Sequence, residues 1–199
     1  MQFTLTDLQN EIKENSNKLL KENIDLLETI QKVDDNCRID KKVWDLVIDQ
    51  GWLALDVPEE DGGLGFSNTD TAILSEVLGY YMPIIPIFSS GVVFKHILIN
   101  SKKEKKGELL PEIISGEKIG TFAVYESDKY EINQETINTH LTTVESGYIL
   151  SGNKKYVMFG DVSDYIAVLA KHEDGCKFVL VSTNADGVTI KETTSLDQT

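Results

Sequence analysis

The stretch Gly51-Trp52-Leu53-Ala54-Leu55-Asp56-Val57-Pro58-Glu59-Glu60-Asp61-Gly62-Gly63-Leu64-Gly65 constrains the fold more than any other part of the chain. It lies between two runs of apolar residues with helical spacing, so it has to carry the chain from one helix to the next. Gly51 can take the left-handed conformation that ends a helix, because no Cβ clashes there. Pro58 removes a backbone donor and biases Val57 toward extended geometry. Gly62, Gly63 and Gly65 allow a tight turn before the following helix. A structured inter-helix crossing is the expectation.

The residues up to about 118 read as helical. Leu5, Leu8, Ile12, Leu19, Ile24 and Leu27 recur at helical spacing among Glu, Lys and Asn. Asp40 is an expected N-cap for a stripe of Val43, Trp44, Val47 and Ile48 that stops at Gly51. Ser67 with Asp70 makes the pattern of a capping box and opens a helix bearing Ile73, Leu74, Val77 and Leu78, which Gly79 is expected to close. Pro83 and Pro86 predict an extended break before a helix with Phe88, Val92, Ile97 and Leu98. Lys102 to Lys106, the densest basic cluster of the chain, reads as a solvated surface turn. Leu109, Leu110, Ile113 and Ile114 predict a short helix stopped by Ser115-Gly116.

After Ile119 the period changes. Phe122-Ala123-Val124-Tyr125 begins a strand, and Ile137 to Val144 alternates threonine with apolar residues. Tyr156–Phe159, Tyr165–Ala170 and Lys177–Ser182 read as further strands. Ser146-Gly147 and Ser151-Gly152-Asn153 read as turns, and Glu173-Asp174-Gly175 as a hairpin turn. No proline follows Pro111, as a hydrogen-bonded ladder requires. The expected architecture is α+β: a helical domain over residues 1–118, then an incomplete antiparallel β-domain over 119–199.

Charge narrows the partners. Nineteen basic against 33 acidic residues leave a net charge of −14. Nucleic acid and anionic membrane both need a basic face and are disfavoured as main partners. Cys37 and Cys176 have no metal or redox spacing and read as reduced thiols of a cytoplasmic protein. The N-terminal MQFTLTDLQN has neither the basic nor the apolar region of a signal peptide. His96, His140 and His172 are isolated, and no phosphate-loop or nucleophile-elbow motif occurs.

The glycine-rich crossing resembles the "GW…VPEE.GGLG" signature of the acyl-CoA dehydrogenase N-terminal domain. The resemblance continues through LLPEIISGEKIGTFAVYE, which looks like that family's passage into its first β-strand. GYILSGNKKYVMFGDVSDYIAVLAK looks like its central hairpin, where a Lys-aromatic-Ile/Val element reaches the flavin, and GVTIKETTSLDQT resembles the run toward its closing strands. The family's fold then implies further strands and a C-terminal four-helix bundle beyond the run to Thr199. In the family that part supplies the catalytic glutamate, much of the FAD site and most of the oligomer interface, so no glutamate here inherits the catalytic role. Glu126, beside the flavin-facing strand, is expected to lie outside the chemistry.

The resemblance implies FAD, an acyl-CoA or acyl-carrier substrate, and a homo- or hetero-oligomer with a chain that bears the bundle. It places one wall of the flavin pocket at Phe122, Val124, Tyr125, Tyr156, Val157 and Met158. The same six residues also read as ordinary β-core or interface. The common Thr-Glu-Pro followed by Gly-Ser-Asp is replaced by Tyr125-Glu126-Ser127 and Asp128-Lys129-Tyr130. The usual Trp-Ile-Thr is Tyr156-Val157-Met158. Tyr156 still offers a ring face, whereas Met158 has only its backbone N–H to donate. Two functions follow. One is the N-terminal part or subunit of an FAD-dependent dehydrogenase that introduces an α,β double bond into an acyl thioester. The other is a flavin-free interaction subunit or remnant of the same family.

Overall fold

The computed structural model describes residues 4–127, 132, 134–145 and 147–193. Asp128-Lys129-Tyr130, Ser146 and the end of the chain from residue 194 lie outside the described residues. The chain divides into two compact units: residues 4–85 with 114–116, and residues 86–113 with 117–193.

In the first unit the apolar run from Leu5 to Leu27 breaks into two helices, α1 (Asp7–Asn23) and α2 (Leu26–Asp34). Asp25 causes the break. Its carboxylate accepts from the N–H of Leu27 at 2.8 Å and so starts a new helix. Asp40 caps α3 (Lys41–Asp49), accepting from Val43 N–H at 3.3 Å, and α3 buries Val43, Trp44 and Val47. Gly51 is left-handed, φ 67°, and ends this segment as expected.

The crossing folds on its own backbone. Leu64, Gly65 and Phe66 return their N–H groups to the carbonyls of Ala54, Val57 and Leu55, at 3.0, 2.9 and 3.0 Å. Gly63 is required by close approach, since a Cβ there would stand 2.1 Å from the Val57 carbonyl oxygen.

The next helix, α4 (Asn68–Tyr81), opens at Ser67. The Ser67 amide and hydroxyl both donate to Asp70, at 2.8 and 2.6 Å. Across α1 and α4, the Gln9 side-chain amide donates to Asp70 at 3.0 Å, and the Tyr81 hydroxyl donates to Asn17 at 2.8 Å. Gly79 does not close α4. The helix runs on to Tyr81 and stops at left-handed Met82, φ 46°, just before Pro83. Glycine inside a helix costs only about 1 kcal/mol against alanine, whereas proline cannot continue one.

The second unit begins with a π-helical stretch, Ile87–Phe94, that continues into α5 (Lys95–Ile99). Lys102 to Lys106 is not a turn. Lys103 starts α6 (Lys103–Ile114), and Lys106 N–H already donates to the Lys102 carbonyl at 3.0 Å. Five strands follow: β1 (Gly120–Ala123), β2 (His140–Val144), β3 (Gly147–Ser151), β4 (Tyr165–His172) and β5 (Gly175–Ser182).

The α+β class holds, and the sheet is mixed rather than purely antiparallel. The hairpin partners β2–β3 and β4–β5 are antiparallel, but β1 runs parallel to β4, with Gly120 opposite Tyr165 and Ala123 opposite Val168. A second parallel bridge joins His140 to Lys171. β1 also packs on the π-helical stretch, where Gly120 N–H donates to Ser90 Oγ at 3.1 Å. Any Cβ at Gly120 would stand 2.0 Å from the Phe94 ring.

Tyr156–Phe159 is not a strand. Tyr156 and Phe159 are left-handed, φ 56° and 53°, which a pleated ladder does not accommodate. Among the described residues no helix is long and apolar enough to cross a membrane. Cys37 and Cys176 are free thiols.

Candidate functional site

β4 takes one edge of β1. The other edge is bounded by an irregular strap, residues 154–159, running in the opposite direction. Lys155 N–H donates to the Tyr125 carbonyl at 2.8 Å, and at the other end Thr121 Oγ1 donates to the Met158 carbonyl at 2.6 Å. These two bonds bring the sequence-predicted residues together into one strip: Phe122, Val124 and Tyr125 from β1 and its exit, Tyr156, Val157 and Met158 from the strap.

Within that strip the side chains do different things. Tyr156 is 49% exposed and Met158 is 43% exposed. Val157 packs against the core cluster of Ala123, Ile166 and Val168, so it offers backbone rather than side chain. Phe122 is half-buried and meets Phe88 of the π-helical stretch edge to face, with ring centroids 6.2 Å apart and an interplanar angle of 76°. Val124 and Tyr125 are half-buried past the end of β1 and supply carbonyls. The amide N–H groups of Val157 and Met158 donate to no acceptor among the described residues.

A nearly buried ion pair joins the exit of β1 to the start of the strap. Lys154 Nζ donates to Glu126 Oε1 at 2.7 Å, with the two side chains 7% and 11% exposed. The same ammonium reaches the Val124 carbonyl at 3.3 Å. Glu126 also accepts from the backbone N–H groups of Asn138 and Thr139, at 2.6 and 2.9 Å. Burial alone would push the Glu126 carboxyl upward, but the Lys154 ammonium and the two amides outweigh it and hold the group at about 2. A carboxylate so engaged is a structural anion, not a base waiting for a proton. At the start of β1, Asp164 accepts from Ile119 N–H at 2.9 Å and from Lys118 Nζ at 3.0 Å. That hydrogen bond raises the Lys118 ammonium above its ordinary value.

Lys154, Thr121 and Phe88 were not among the site residues expected from the sequence. Lys154 stands just before the Lys155-Tyr156-Val157 element, and its partner lies 28 residues away. Nothing in the local pattern points to Thr121 or Phe88. Among the described residues, no group of three or more His, Cys, Asp and Glu side chains is placed to hold a metal ion.

Comparison with known proteins bears on the family and the fold. The family profile described as "Acyl-CoA dehydrogenase, N-terminal domain" matches residues 6–117. The mitochondrial 2-methylacyl-CoA dehydrogenase of Solanum tuberosum is 28% identical over 172 residues, covering 84% of this chain and 41% of that one. The ChsE4–ChsE5 complex of Mycobacterium tuberculosis superimposes with a TM-score of 0.85 at 24% identity, over 96% of this chain and 51% of that one. A glutaryl-CoA dehydrogenase of Mycobacterium smegmatis in complex with FADH2 gives 0.84 at 19% identity, over 98% and 50%. The two structural likenesses establish the fold. The chain spans 41–51% of the length of these proteins.

Proposed function

The chain belongs to the acyl-CoA dehydrogenase family, and on that premise we infer that it forms the flavin-facing N-terminal part of an FAD-dependent dehydrogenase. The reaction is α,β-desaturation of an acyl-CoA or carrier-bound acyl thioester, completed by a C-terminal helical bundle from another segment or chain. The observation that carries this reading is the strip itself: an exposed tyrosine ring beside two open backbone donors, along one edge of β1. An isoalloxazine ring requires a flat apolar face and N–H donors toward its heteroatoms, and the residues present fit both needs. Tyr156 would offer the face, and the amides of Val157 and Met158 would donate.

When bound, FAD supplies the acceptor for the hydride that leaves the acyl β-carbon. This chain's own residues bind and orient. Val157 seals the strip against the β core, and Phe122 with Phe88 makes an apolar margin that sheds water. The carboxylate tied to the strap is not placed to remove an α-proton. Glu126 is committed to Lys154 and two amides. A complementing bundle would bring the base, which is why catalysis is assigned to the assembly. A relative solved as a complex, ChsE4–ChsE5, supports a partner chain as the source.

The test is to prepare the chain together with a polypeptide carrying the family's C-terminal bundle and assay acyl-CoA oxidation with an artificial electron acceptor. Turnover by the pair and by neither chain alone is the expected result. A folded complex that oxidises no acyl thioester defeats the enzymatic reading and leaves an interaction subunit.

A further inference from the structure

We propose that Glu126 and Lys154 are a positioning pair for the cofactor wall: they hold the strap in the strained course that exposes the Tyr156 ring and keeps the Val157 and Met158 amides open. The inference rests on the reading of this strip as flavin-facing.

Two aromatic residues in the left-handed region within four positions, Tyr156 and Phe159, are uncommon for non-glycine residues. Such conformations persist only where the surroundings over-determine them. Here the surroundings do so from both ends. Lys154 is tied to Glu126 and to the Val124 carbonyl just before Tyr156, and Lys155 N–H is tied to the Tyr125 carbonyl. Beyond Tyr156, Thr121 holds the Met158 carbonyl, and Ser163 Oγ donates to the Phe159 carbonyl at 2.7 Å. Only the first of these ties is ionic and nearly buried.

Burying an ion pair gains little over an apolar pair of the same volume. A charged pair does something that two apolar side chains do not: each end reaches particular atoms. Glu126 is fixed by the Asn138 and Thr139 amides, and Lys154 by Val124 as well as Glu126. The pair therefore sets where residue 154 sits, and with it the turn that residue 156 must make. The bonds of Lys154 and Glu126 run to each other and to Val124, Asn138 and Thr139, so the pair acts on the ring face and the open amides through the strap.

The experiment compares the full chain with the double variant E126L/K154M, which leaves no unpaired buried charge and so keeps the fold. Amide hydrogen exchange, without flavin, is read at Lys155 and across β4. At least tenfold faster exchange at Lys155, with β4 within twofold of the native chain, is expected. Unchanged Lys155, or equal acceleration throughout β4, overturns the positioning role. FAD titration, followed by flavin fluorescence with the complementing bundle present, should show at least tenfold weaker binding to the variant. Equal binding overturns it too. If the native chain takes up no FAD alone or with the bundle, the flavin reading falls, while the exchange result still decides whether the pair positions the strap.

Discussion

The crossing from Gly51 to Phe66 and the strap of residues 154–159 are both irregular and both leave the ordinary backbone regions, yet they are held by opposite means. The crossing is self-sufficient. Its bends fall on glycines, and its carbonyls are met by N–H groups of the same segment, at most eleven residues away. The strap places left-handed geometry on a tyrosine and a phenylalanine and takes its support from Thr121, Tyr125 and Glu126, some 30 residues earlier. A segment shaped by its own residues is rigid wherever it is placed. One shaped by distant anchors is only as fixed as those anchors are, which suits a surface that meets a ligand.

Four perturbations break or sharpen that contrast, from the largest expected effect to the smallest. Lys154→Met alone strands the Glu126 carboxylate in a nearly buried place and should cost about 3–5 kcal/mol in denaturant unfolding, far more than the double variant E126L/K154M. If single and double variants cost the same, the ion pair is not what anchors the strap. Gly63→Ala drives a methyl group into the Val57 carbonyl and should cost about 3 kcal/mol. A cost under about 1 kcal/mol would show that the crossing yields more easily than its internal bonding implies.

Acid provides the third. The Glu126 carboxyl sits at about 2 in the folded chain against an ordinary 4.5. Because the folded value is the lower one, its contribution, about 3 kcal/mol, is complete above the ordinary value and is lost as pH falls through the folded one. Urea midpoints from pH 6 to pH 2 should therefore fall less steeply in Glu126→Gln than in the native chain; parallel curves would remove the linkage. The smallest effect is at Asp70→Ala, which releases the Ser67 amide and hydroxyl at the start of α4 and should cost about 1–2 kcal/mol. A thermal midpoint unchanged within error would contradict the cap.

The same contrast explains what could be read from the sequence. The crossing, the Asp40 and Ser67–Asp70 helix starts and the two-residue turn between β4 and β5 depend on neighbours in the chain, so residue type and spacing reveal them. Helix limits were less legible. Gly79 looks like a stop, but Met82 and Pro83 set the true one, and the lysines that begin α6 disguise a helical turn as a solvated loop. The parallel pairing of β1 with β4 joins residues 45 apart at Gly120 and Tyr165 and leaves no periodic trace.

The candidate strip follows the same rule. Its residue types were visible through the family resemblance. The apolar run Tyr156–Phe159 reads as strand, and only the long-range bonds show it to be a strap.

The measurement that bears most directly on the account is the visible absorption spectrum of the chain purified with the complementing bundle, for the native sequence and for Tyr156→Ala. The account predicts flavin bands in the native complex that are largely lost in the variant while the far-ultraviolet spectrum is unchanged. A well-folded native complex without flavin bands, or a variant that keeps them in full, would contradict it.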